Sequence, residues 1–321
     1  MNICLIGCGN HTHDVYLPSF NRLKTERDDV TLAACCDLDI EKAKSMQSAC
    51  GFLNCYTDYR EMLKKEKPDA LFMVTPYYVT ADIAEDAAKL CFCPIMIEKP
   101  PGSTLEEALR IKNALGNRLH QVAFNRHFMP SFLALKQKIE ASRLQHAEYT
   151  MSRINRTEPF FFVTAIHGID AVRYVVGSDY KHCDFYYQDT PTLGENCYNM
   201  HIFAEFENGA TAQLAFLVQS GLVTERILAT CENVSYELKT PIWHGGDTPG
   251  ALYTYKQGKL CEKTEFEYQD LFLSNGFYGE MTAFMEAVKT GKQIAHVSMD
   301  SALQPVEIAQ CLRYRKSEYR K

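Results

Sequence analysis

The sequence predicts an α/β protein of two domains, the first built on a parallel sheet and the second on a large, mostly antiparallel sheet. Its 321 residues suit two domains of about 100–200 residues each. In residues 1–125, short apolar runs alternate with helical patterns, which is typical of βαβ units. Beyond a helix predicted at 131–141, apolar and polar residues alternate with period two, as in strands with one buried face. The predicted domains are therefore residues 1–125 and 126–321.

The first domain is predicted from apolar runs that end in turns or polar residues. Its strands are expected at 3–6, 31–36, 52–53, 70–74, 95–97 and 121–124. Helices are expected from near Pro18, at 39–49, from Tyr59, at 79–90 and from Thr104 to Leu115. Thr104 and Glu107 have the spacing of a capping box, which predicts a helix N-terminus there.

The second domain is predicted from period-two segments and closing helices. Its strands are expected at 146–154, 184–188, 201–206, 211–218, 226–231 and 235–238. The segment from His167 to Asp170 is expected to open a helix over 170–177, and further helices are expected at 277–289 and 300–315. Asn208-Gly209 predicts a two-residue hairpin turn between two long strands.

Composition and charge exclude several functional classes. The 34 Lys and Arg residues against 40 Asp and Glu give a net charge of −6 without a basic block, so no nucleic-acid partner is expected. Apolar runs fall short of the ~18 residues that span a membrane, and the strand pattern begins without a basic leader. We therefore expect a soluble, cytoplasmic protein with no membrane partner.

The cysteines predict buried structural thiols rather than a reactive or metal-binding set. There are 13 of them, scattered through apolar runs, where thiols behave as small hydrophobic side chains. Cys91-Phe92-Cys93 is one residue short of the redox spacing, and neither a second pair nor a nearby His completes a zinc site. No bound metal is expected.

A glycine turn after the first strand is the first candidate site. Gly7-Cys8-Gly9 allows a tight turn with close backbone approach to a pyrophosphate, although Thr12 occupies the place of the third glycine. Asp37 ends the second strand, where a carboxylate can accept bonds from a ribose 2′-hydroxyl and repel a 2′-phosphate. The pattern therefore favours NAD over NADP.

Two further segments contain candidate catalytic groups. Lys99 follows Glu98 at the carboxyl end of a parallel strand, where open α/β sheets bind ligands, and its ammonium could polarise a substrate hydroxyl. His167 is a candidate base, because imidazole titrates near neutrality. Asp170, three residues on, could orient His167 or simply favour a helix N-terminus.

Weaker candidates follow other strands. Asn125 and Arg126 come directly after the last strand of the first domain. Arg153 and Asn155 end the first long strand of the second domain. Each could bind substrate hydroxyls or a carboxylate, or could be a solvated surface residue.

Taken in order, these motifs resemble the Gfo/Idh/MocA oxidoreductase family. The segments that match are Gly7-Cys8-Gly9, Asp37, Thr75-Pro76, Glu98-Lys99-Pro100, Asn125-Arg126, His167-x-x-Asp170 and the stretch 276–284. The resemblance implies an N-terminal Rossmann domain and a C-terminal α/β domain whose open sheet mediates homodimer or homotetramer formation. It also implies NAD(P)-linked oxidation or reduction of sugars or polyols, with Lys99 catalytic and His167 as base.

By the same resemblance, one set of residues is expected to bind the cofactor, and the strand-end candidates above, together with Asp170, are expected to bind the substrate. The cofactor set is Gly7, Cys8, Gly9, Asn10, Thr12, Asp37, Thr75, Pro76, Tyr77, Glu98, Lys99 and Asn125. The substrate set is Arg126, Arg153, Asn155 and Asp170.

The sequence departs from the family pattern at positions near these groups. Val163 stands where the family often has an Asp four residues before the histidine, and Ala165 where a glycine is common. Tyr77 and Thr80 stand where Asn and His are frequent. The leading hypothesis is an NAD-dependent oxidoreductase acting on a sugar-like or cyclic polyol substrate. The alternatives are a hydrolase or epimerase that uses NAD transiently and a non-catalytic NAD-binding sensor.

Overall fold

A computed structural model describes residues 1–157, 160–267 and 269–321 of the chain. Packing divides the chain into two compact units. The first unit comprises Met1–Asn125 and Phe277–Val306, and the second comprises Arg126–Gly276 and Glu307–Lys321. Both contain a sheet covered by helices. Within the described residues, no helix is both long and apolar enough to cross a membrane.

The first unit is built on a six-stranded sheet whose paired strands are all parallel. Its strands are β1 (Asn2–Ile6), β2 (Thr31–Cys36), β3 (Asn54–Tyr56), β4 (Ala70–Met73), β5 (Ile95–Ile97) and β6 (His120–Val122). They lie in the order β3-β2-β1-β4-β5-β6. The order reverses between β1 and β4, and sheets of this kind bind ligands at such a reversal, outside the carboxyl ends of the strands.

The connecting helices begin where polar side chains cap them. They are α1 (Leu17–Glu26), α2 (Ile40–Cys50), α3 (Tyr59–Glu66), α4 (Tyr77–Leu90) and α5 (Leu105–Leu115). Asp39 and Asp58 accept bonds from the backbone amides of Glu41 and Arg60 at the starts of α2 and α3. The predicted cap of α5 is confirmed, because the hydroxyl of Thr104 accepts a 3.2 Å bond from the amide of Glu107.

Two details of the first unit differ from the prediction. The short strand lies at Asn54–Tyr56 rather than at 52–53, because Phe52 turns inward and packs edge-on against Phe20, 5.7 Å away. The first helix begins at Asn10 rather than near Pro18, and it contains a π-helical segment at Thr12–Tyr16 before α1.

The chain returns to the first unit near its end. Helix α9 (Phe277–Thr290, which follows the short helix α8, Leu271–Ser274) places Phe284 edge-on against Phe72 of β4, with ring centroids 5.3 Å apart. Helix α10 (Met299–Arg313) follows, and its first residues also belong to this unit. The residues after 125 therefore do not all pack together.

The second unit contains a nine-stranded sheet that is antiparallel except for one pair. Its strands are β7 (Leu144–Ser152), β8 (Tyr180–Asp189), β9 (Tyr198–Phe206), β10 (Thr211–Leu217), β11 (Thr224–Cys231), β12 (Val234–Lys239), β13 (Ala251–Lys256), β14 (Lys259–Glu265) and β15 (Glu318–Arg320). The order is β14-β13-β12-β11-β7-β10-β9-β8-β15, with β7 and β10 parallel. The predicted mostly antiparallel sheet is confirmed.

Helices α6 (Pro130–Glu140) and α7 (Phe162–Val176) pack on this sheet. The closest approach is at Gly168 of α7, where an added Cβ would lie 2.4 Å from the ring of Tyr149 and 2.7 Å from the ring of Phe216. Only glycine allows the helix to come so near these rings, so this contact fixes the position of α7 on the sheet.

The hairpin between β9 and β10 has a longer turn than predicted. Glu207, Asn208 and Gly209 lie between Phe206 and Ala210, which are joined by a 2.9 Å backbone bond. Of the two predicted turn residues only Gly209 has a positive φ, +84°. A two-residue type I′ turn needs positive φ at both, whereas a three-residue loop needs one left-handed residue at its end. Asn208 instead accepts a side-chain bond from the amide of Ala210.

Candidate functional site

The glycine turn after β1 leaves space that a side chain would fill. Gly7 has φ +96°, and a Cβ there would lie 2.0 Å from the carbonyl oxygen of Val74, so only glycine fits. A Cβ on Gly9 would meet no atom within 4 Å. The backbone of the turn therefore packs against the sheet at Gly7, whereas the space beside Gly9 is open. A pyrophosphate needs such open space to approach the backbone closely.

Thr12 explains how the turn is held without a third glycine. Its side chain is fully buried, and its hydroxyl donates a 2.9 Å bond to the carbonyl of Gly7. The helix starts at Asn10, directly after Gly9. Its amino end therefore faces the turn, where the first backbone N–H groups favour a negatively charged ligand.

Asp37 lies beside the same turn. One carboxylate oxygen accepts a 2.8 Å bond from the amide of Cys8, and the other accepts a 3.0 Å bond from the amide of Asp39. A carboxylate oxygen can accept more than one bond, so the half-buried side chain keeps capacity for ribose hydroxyls. These bonds fix the carboxylate next to the backbone that would hold the pyrophosphate.

Thr75, Pro76 and Tyr77 connect β4 to α4, next to the reversal in strand order. The hydroxyls of Thr75 and Thr80 are 2.9 Å apart, and Thr80 also donates a 3.0 Å bond to the carbonyl of Pro76. Thr80 is thus buried in the start of α4. Pro76 is exposed and Tyr77 half-buried.

Glu98 is a buried acid at the end of β5. Its Oε1 accepts a 2.7 Å bond from the hydroxyl of Tyr16 and lies 3.2 Å from Nε2 of His11. Burial would raise the pKa of Glu98, but His11, Lys99 and the Tyr16 hydroxyl outweigh it and hold this pKa below its usual value. Burial and the nearby carboxylates raise the pKa of Tyr16 well above its usual value. Glu98 is therefore a carboxylate bonded to a neutral phenol.

Lys99 and Asn125 complete the set in the first unit. The amide of Lys99 donates a 3.0 Å bond to Glu98, and its side chain is half-buried. Asn125 is 1% exposed and lies just beyond β6. The predicted cofactor residues thus follow the carboxyl ends of five neighbouring parallel strands, β2, β1, β4, β5 and β6. The fold brings them to one edge of the sheet.

In the second unit, His167 and Asp170 lie inside a helix rather than at its start. Helix α7 begins at Phe162, so the prediction that the segment from His167 to Asp170 opens the helix is wrong, and the alternative role of Asp170 at the helix N-terminus is excluded. Asp170 Oδ2 instead lies 2.7 Å from Nε2 of His127, with both side chains buried. The ring of His127 stacks on Tyr174 with centroids 4.0 Å apart. His167 is 8% exposed.

Arg126 belongs to a buried ion-pair network that the sequence did not reveal. Its guanidinium donates two bonds to Glu225, of 3.0 and 2.7 Å, and Arg153 lies 3.4 Å from the same carboxylate. Burial opposes ionisation of Glu225, but the two arginines and Tyr149 lower its pKa to about 2. Arg153 also donates to the backbone carbonyls of Ser152 and Thr224.

Asn155 lies apart from this network. It is exposed and has φ +45°, in the left-handed region that asparagine tolerates better than most residues. Of the four candidate substrate residues, two are thus in a buried ion-pair network, one pairs with a buried histidine and one lies at the surface.

One cluster among the described residues has the composition of a metal site. Ligand atoms of His182, Asp184 and Glu318 all lie within 4.8 Å of one another. The cluster is partly exposed, and Arg320 already forms a 2.9 Å ion pair with Glu318. The arginine supplies the positive charge that a cation would otherwise supply.

Sequence comparisons relate the chain to oxidoreductases. The family model described as "Oxidoreductase family, NAD-binding Rossmann fold" matches residues 1–125. Inositol 2-dehydrogenase of Klebsiella pneumoniae is 23% identical over 303 residues, which are 88% of this chain and 86% of that protein. Inositol 2-dehydrogenase of Renibacterium salmoninarum is 28% identical over 190 residues, so the alignment spans 56% of each chain.

A solved structure shows the same fold over nearly the whole chain. The structure of levoglucosan dehydrogenase in complex with NADH superposes with a TM-score of 0.83 at 17% identity, covering 99% of this chain and 98% of that chain. This chain therefore shares its overall fold with a protein of low sequence identity. Residues 1–125 match the Gfo/Idh/MocA family of oxidoreductases, which has an NAD-binding Rossmann fold.

Proposed function

We propose that this protein is an NAD-dependent dehydrogenase of a sugar-like or cyclic polyol alcohol. The observation that carries the proposal is the edge of the parallel sheet at which the open Gly7–Gly9 turn, Asp37 and Glu98-Lys99 follow neighbouring strands. The substrate class is supported by the names of the inositol 2-dehydrogenases and the levoglucosan dehydrogenase. When bound, the nicotinamide accepts or donates the hydride, which is the difficult part of such reactions.

The preference for NAD is argued from Asp37. Its carboxylate is fixed by the amides of Cys8 and Asp39, so it cannot easily turn away from the adenosine ribose. There it would accept bonds from the 2′- and 3′-hydroxyls, while a 2′-phosphate would meet a like charge. The proposed cofactor residues are the set given above, with Gly7 to Thr12 at the pyrophosphate.

Lys99 and His167 are the proposed catalytic residues. The ammonium of Lys99 would donate a hydrogen bond to the reacting oxygen of the substrate, which gains negative charge as the proton leaves. Neutral His167 would accept that proton during oxidation and return it during reduction. Glu98 would hold the backbone at Lys99, because its carboxylate is bonded to the Lys99 amide and to Tyr16.

We also propose that the protein associates with copies of itself through the open face of the nine-stranded sheet. Tyr186 of β8 and Phe203 of β9 are 59% and 44% exposed there, and their rings meet edge-on with centroids 5.5 Å apart. Neighbouring exposed aromatic side chains are typical of an interface. On β10, in contrast, Gln213 is exposed and Ala215 and Leu217 are half-buried.

One assay tests the proposed activity. Purified protein is mixed with NAD or NADP and a panel of inositols, sugars, sugar acids and amino sugars, and NADH or NADPH formation is followed by absorbance. We expect turnover of at least one cyclic polyol or sugar, with NAD preferred by tenfold or more, about 1.4 kcal/mol. Equal or better use of NADP contradicts the role of Asp37.

Two other outcomes would replace the proposal by a different function. Exchange of substrate hydrogen isotope without net NADH would indicate a hydrolase or epimerase that uses NAD transiently. A sensor would bind NAD tightly but show no turnover and no isotope exchange with any alcohol of the panel. It would also fail to reduce the matching ketones with NADH.

A further inference from the structure

Two thiols face each other in the loop between α4 and β5. The sulfur atoms of Cys91 and Cys93 are 2.8 Å apart. Side chains two residues apart in an extended segment project to the same side, which brings these thiols together across Phe92. A disulfide bond is about 2.05 Å long, so the sulfurs need to approach by less than about 1 Å to bond.

The electrostatic environment activates one thiol of the pair. The hydrogen bond from Cys93, and to a smaller extent Arg118, lower the pKa of Cys91 to about 7 despite burial. The same contact, together with burial, raises the pKa of Cys93. The contact therefore favours a thiolate at Cys91, with the thiol of Cys93 beside it as a proton donor. Other buried thiols behave differently: burial raises the pKa of Cys4 and of Cys50 to about 12.

The pair also lies closer to solvent than the core thiols do. Cys91 and Cys93 are 8% and 7% exposed, whereas Cys4 and Cys50 are 0% exposed. The intervening Phe92 is 84% exposed, and the guanidinium of Arg118 lies over its ring at 4.5 Å. The pair therefore lies in a loop, next to a largely exposed side chain, rather than in the interior of the sheet.

We propose that Cys91 and Cys93 form a redox modification site, a dithiol that a hydroperoxide closes to an intrachain disulfide. The Cys91 thiolate attacks one oxygen of the peroxide, so that an S–O bond forms, the O–O bond breaks and the departing hydroxide or alkoxide takes up a proton. Cys93 then attacks the sulfenic sulfur of Cys91. The S–S bond forms, the S–O bond breaks, and water leaves with the proton of Cys93.

The overall reaction balances in atoms and electrons. Two thiols and one hydrogen peroxide give one disulfide and two waters, with the sulfurs oxidised and the peroxide oxygens reduced. A thiol reductant restores the dithiol by exchange. The site is separate from the cofactor residues, because Cys93 precedes β5 whereas Glu98 and Lys99 follow it. The sequence predicts structural thiols here, because the spacing of Cys91 and Cys93 is one residue short of the redox motif. The proposal replaces that prediction with a redox role.

Peptide mass mapping of the whole protein tests the proposal. The protein is treated with one equivalent of hydrogen peroxide, unfolded in iodoacetamide and digested with trypsin. Cleavage after Lys89 and Arg110 releases residues 90–110, which contain no cysteines except Cys91 and Cys93, and the Lys99-Pro100 bond resists trypsin. We expect this peptide without alkyl groups and lighter by two hydrogen atoms, and with two alkyl groups after dithiothreitol.

The exposed thiol Cys261 is the internal control. Among the described residues its thiol contacts backbone carbonyls and no second cysteine, so it should remain alkylated at the same peroxide dose. Cys91→Ser and Cys93→Ser should each abolish the loss of two hydrogen atoms, and alkylation of Cys91 in the untreated protein should reach half its maximal rate at a pH below the ~8.5 at which an ordinary cysteine titrates. Two alkylated thiols in the peptide when Cys261 is oxidised, a sulfinic acid at Cys91 without a disulfide, or an unchanged result in Cys91→Ser overturns the proposal.

Discussion

At the scale of single residues, replacing Lys99 should impair the chemical step without impairing NAD binding. A donor aimed at the reacting oxygen contributes mainly in the transition state, so its loss lowers kcat more than it weakens binding. We expect Lys99→Met to reduce kcat by about 10²–10³ and to leave NAD affinity nearly unchanged. Steady-state kinetics and a fluorescence titration of NAD measure the two quantities.

Lys89→Met is the matched control for that experiment. Lys89 is an exposed lysine in the last turn of α4, so this variant should behave as the unaltered protein. If Lys99→Met keeps most of its kcat, Lys99 is not the polarising group. If it loses NAD binding and helix content together, Lys99 has a structural role instead.

The proposed role of His167 as the base can be tested through the pH dependence of the reaction. Val163 lies one helical turn before it in α7, and side chains at this spacing are neighbours. A carboxylate at position 163 would stabilise the protonated imidazole. We therefore expect Val163→Asp to move the acidic limb of kcat/KM for alcohol oxidation to higher pH, and His167→Ala to remove that limb.

Val163→Asn provides the control for that substitution, because it adds a polar group of the same size without charge. It should leave the limb in place. A limb that persists in His167→Ala identifies another base. A limb unmoved by Val163→Asp shows that position 163 does not act on the histidine.

Among the buried and partly buried polar residues, some could be predicted from the sequence and others could not. Glu98, Asp37 and the glycine turn could be placed from their positions at strand ends, because the carboxyl edge of a parallel sheet is a general ligand site. Glu225 could not, because a buried acid and a surface acid look alike in one sequence. Glu225 is fully buried.

At the scale of secondary-structure elements, Glu225 joins β11 to β7 and to the segment after Asn125. Its carboxylate neutralises the buried guanidinium of Arg126 and pairs with Arg153 of the strand end. Removing one partner of a buried ion pair leaves the other charge uncompensated. We expect Glu225→Gln to lower the free energy of unfolding by about 3–5 kcal/mol, measured by urea unfolding at pH 7.

The same pair predicts a pH dependence. The folded pKa of Glu225, about 2, lies below the ~4.3 of an unfolded chain. Its stabilising contribution is therefore complete above the unfolded pKa and is lost as the pH falls toward the folded one. The difference in free energy of unfolding between the unaltered protein and Glu225→Gln should shrink between about pH 5 and pH 2. Glu262→Gln, at an exposed pair with Lys138, should change stability little. An equal effect of both variants contradicts the prediction.

The elements that were predicted least well lack the usual local signals. Helix α7 is apolar on most sides, and Phe161 at its N-terminus makes no side-chain capping bond, so neither period nor cap marks its start. Strand β14 is exposed at nearly every residue and β15 has three residues. Strand β14 shows no alternation of exposed and buried residues, and β15 is too short for its alternation to be recognised in the sequence. Both lie at sheet edges, where pairing with a neighbour determines the strand.

At the scale of the whole molecule, two features depend on contacts between distant parts of the chain. The division near residue 125 was visible as a change of periodicity, but the packing of Phe277–Val306 with the first unit was not. That packing depends on contacts such as Phe284 with Phe72. Amphipathic periodicity shows that a helix has a partner and does not say which sheet it packs on.

Self-association is the prediction that concerns the whole molecule. Stable interfaces bury about 1,200–2,000 Å² in total, and central aromatic side chains contribute much of their energy. Tyr186 and Phe203 supply such a pair on the open face of the sheet. We expect the protein to be a dimer or tetramer at micromolar concentration by light scattering. The double variant Tyr186→Glu/Phe203→Glu should shift it toward monomer, because it places like charges in an apolar contact.

Leu133→Glu is the control for this experiment. Leu133 is 47% exposed on α6, a helix that packs on the sheet, so a charge there adds the same kind of side chain away from the strands. It should leave the assembly intact. A monomeric unaltered protein refutes self-association. Dissociation by Leu133→Glu but not by the double variant moves the interface from the strands to the helices, and the exposed aromatic pair then needs another partner.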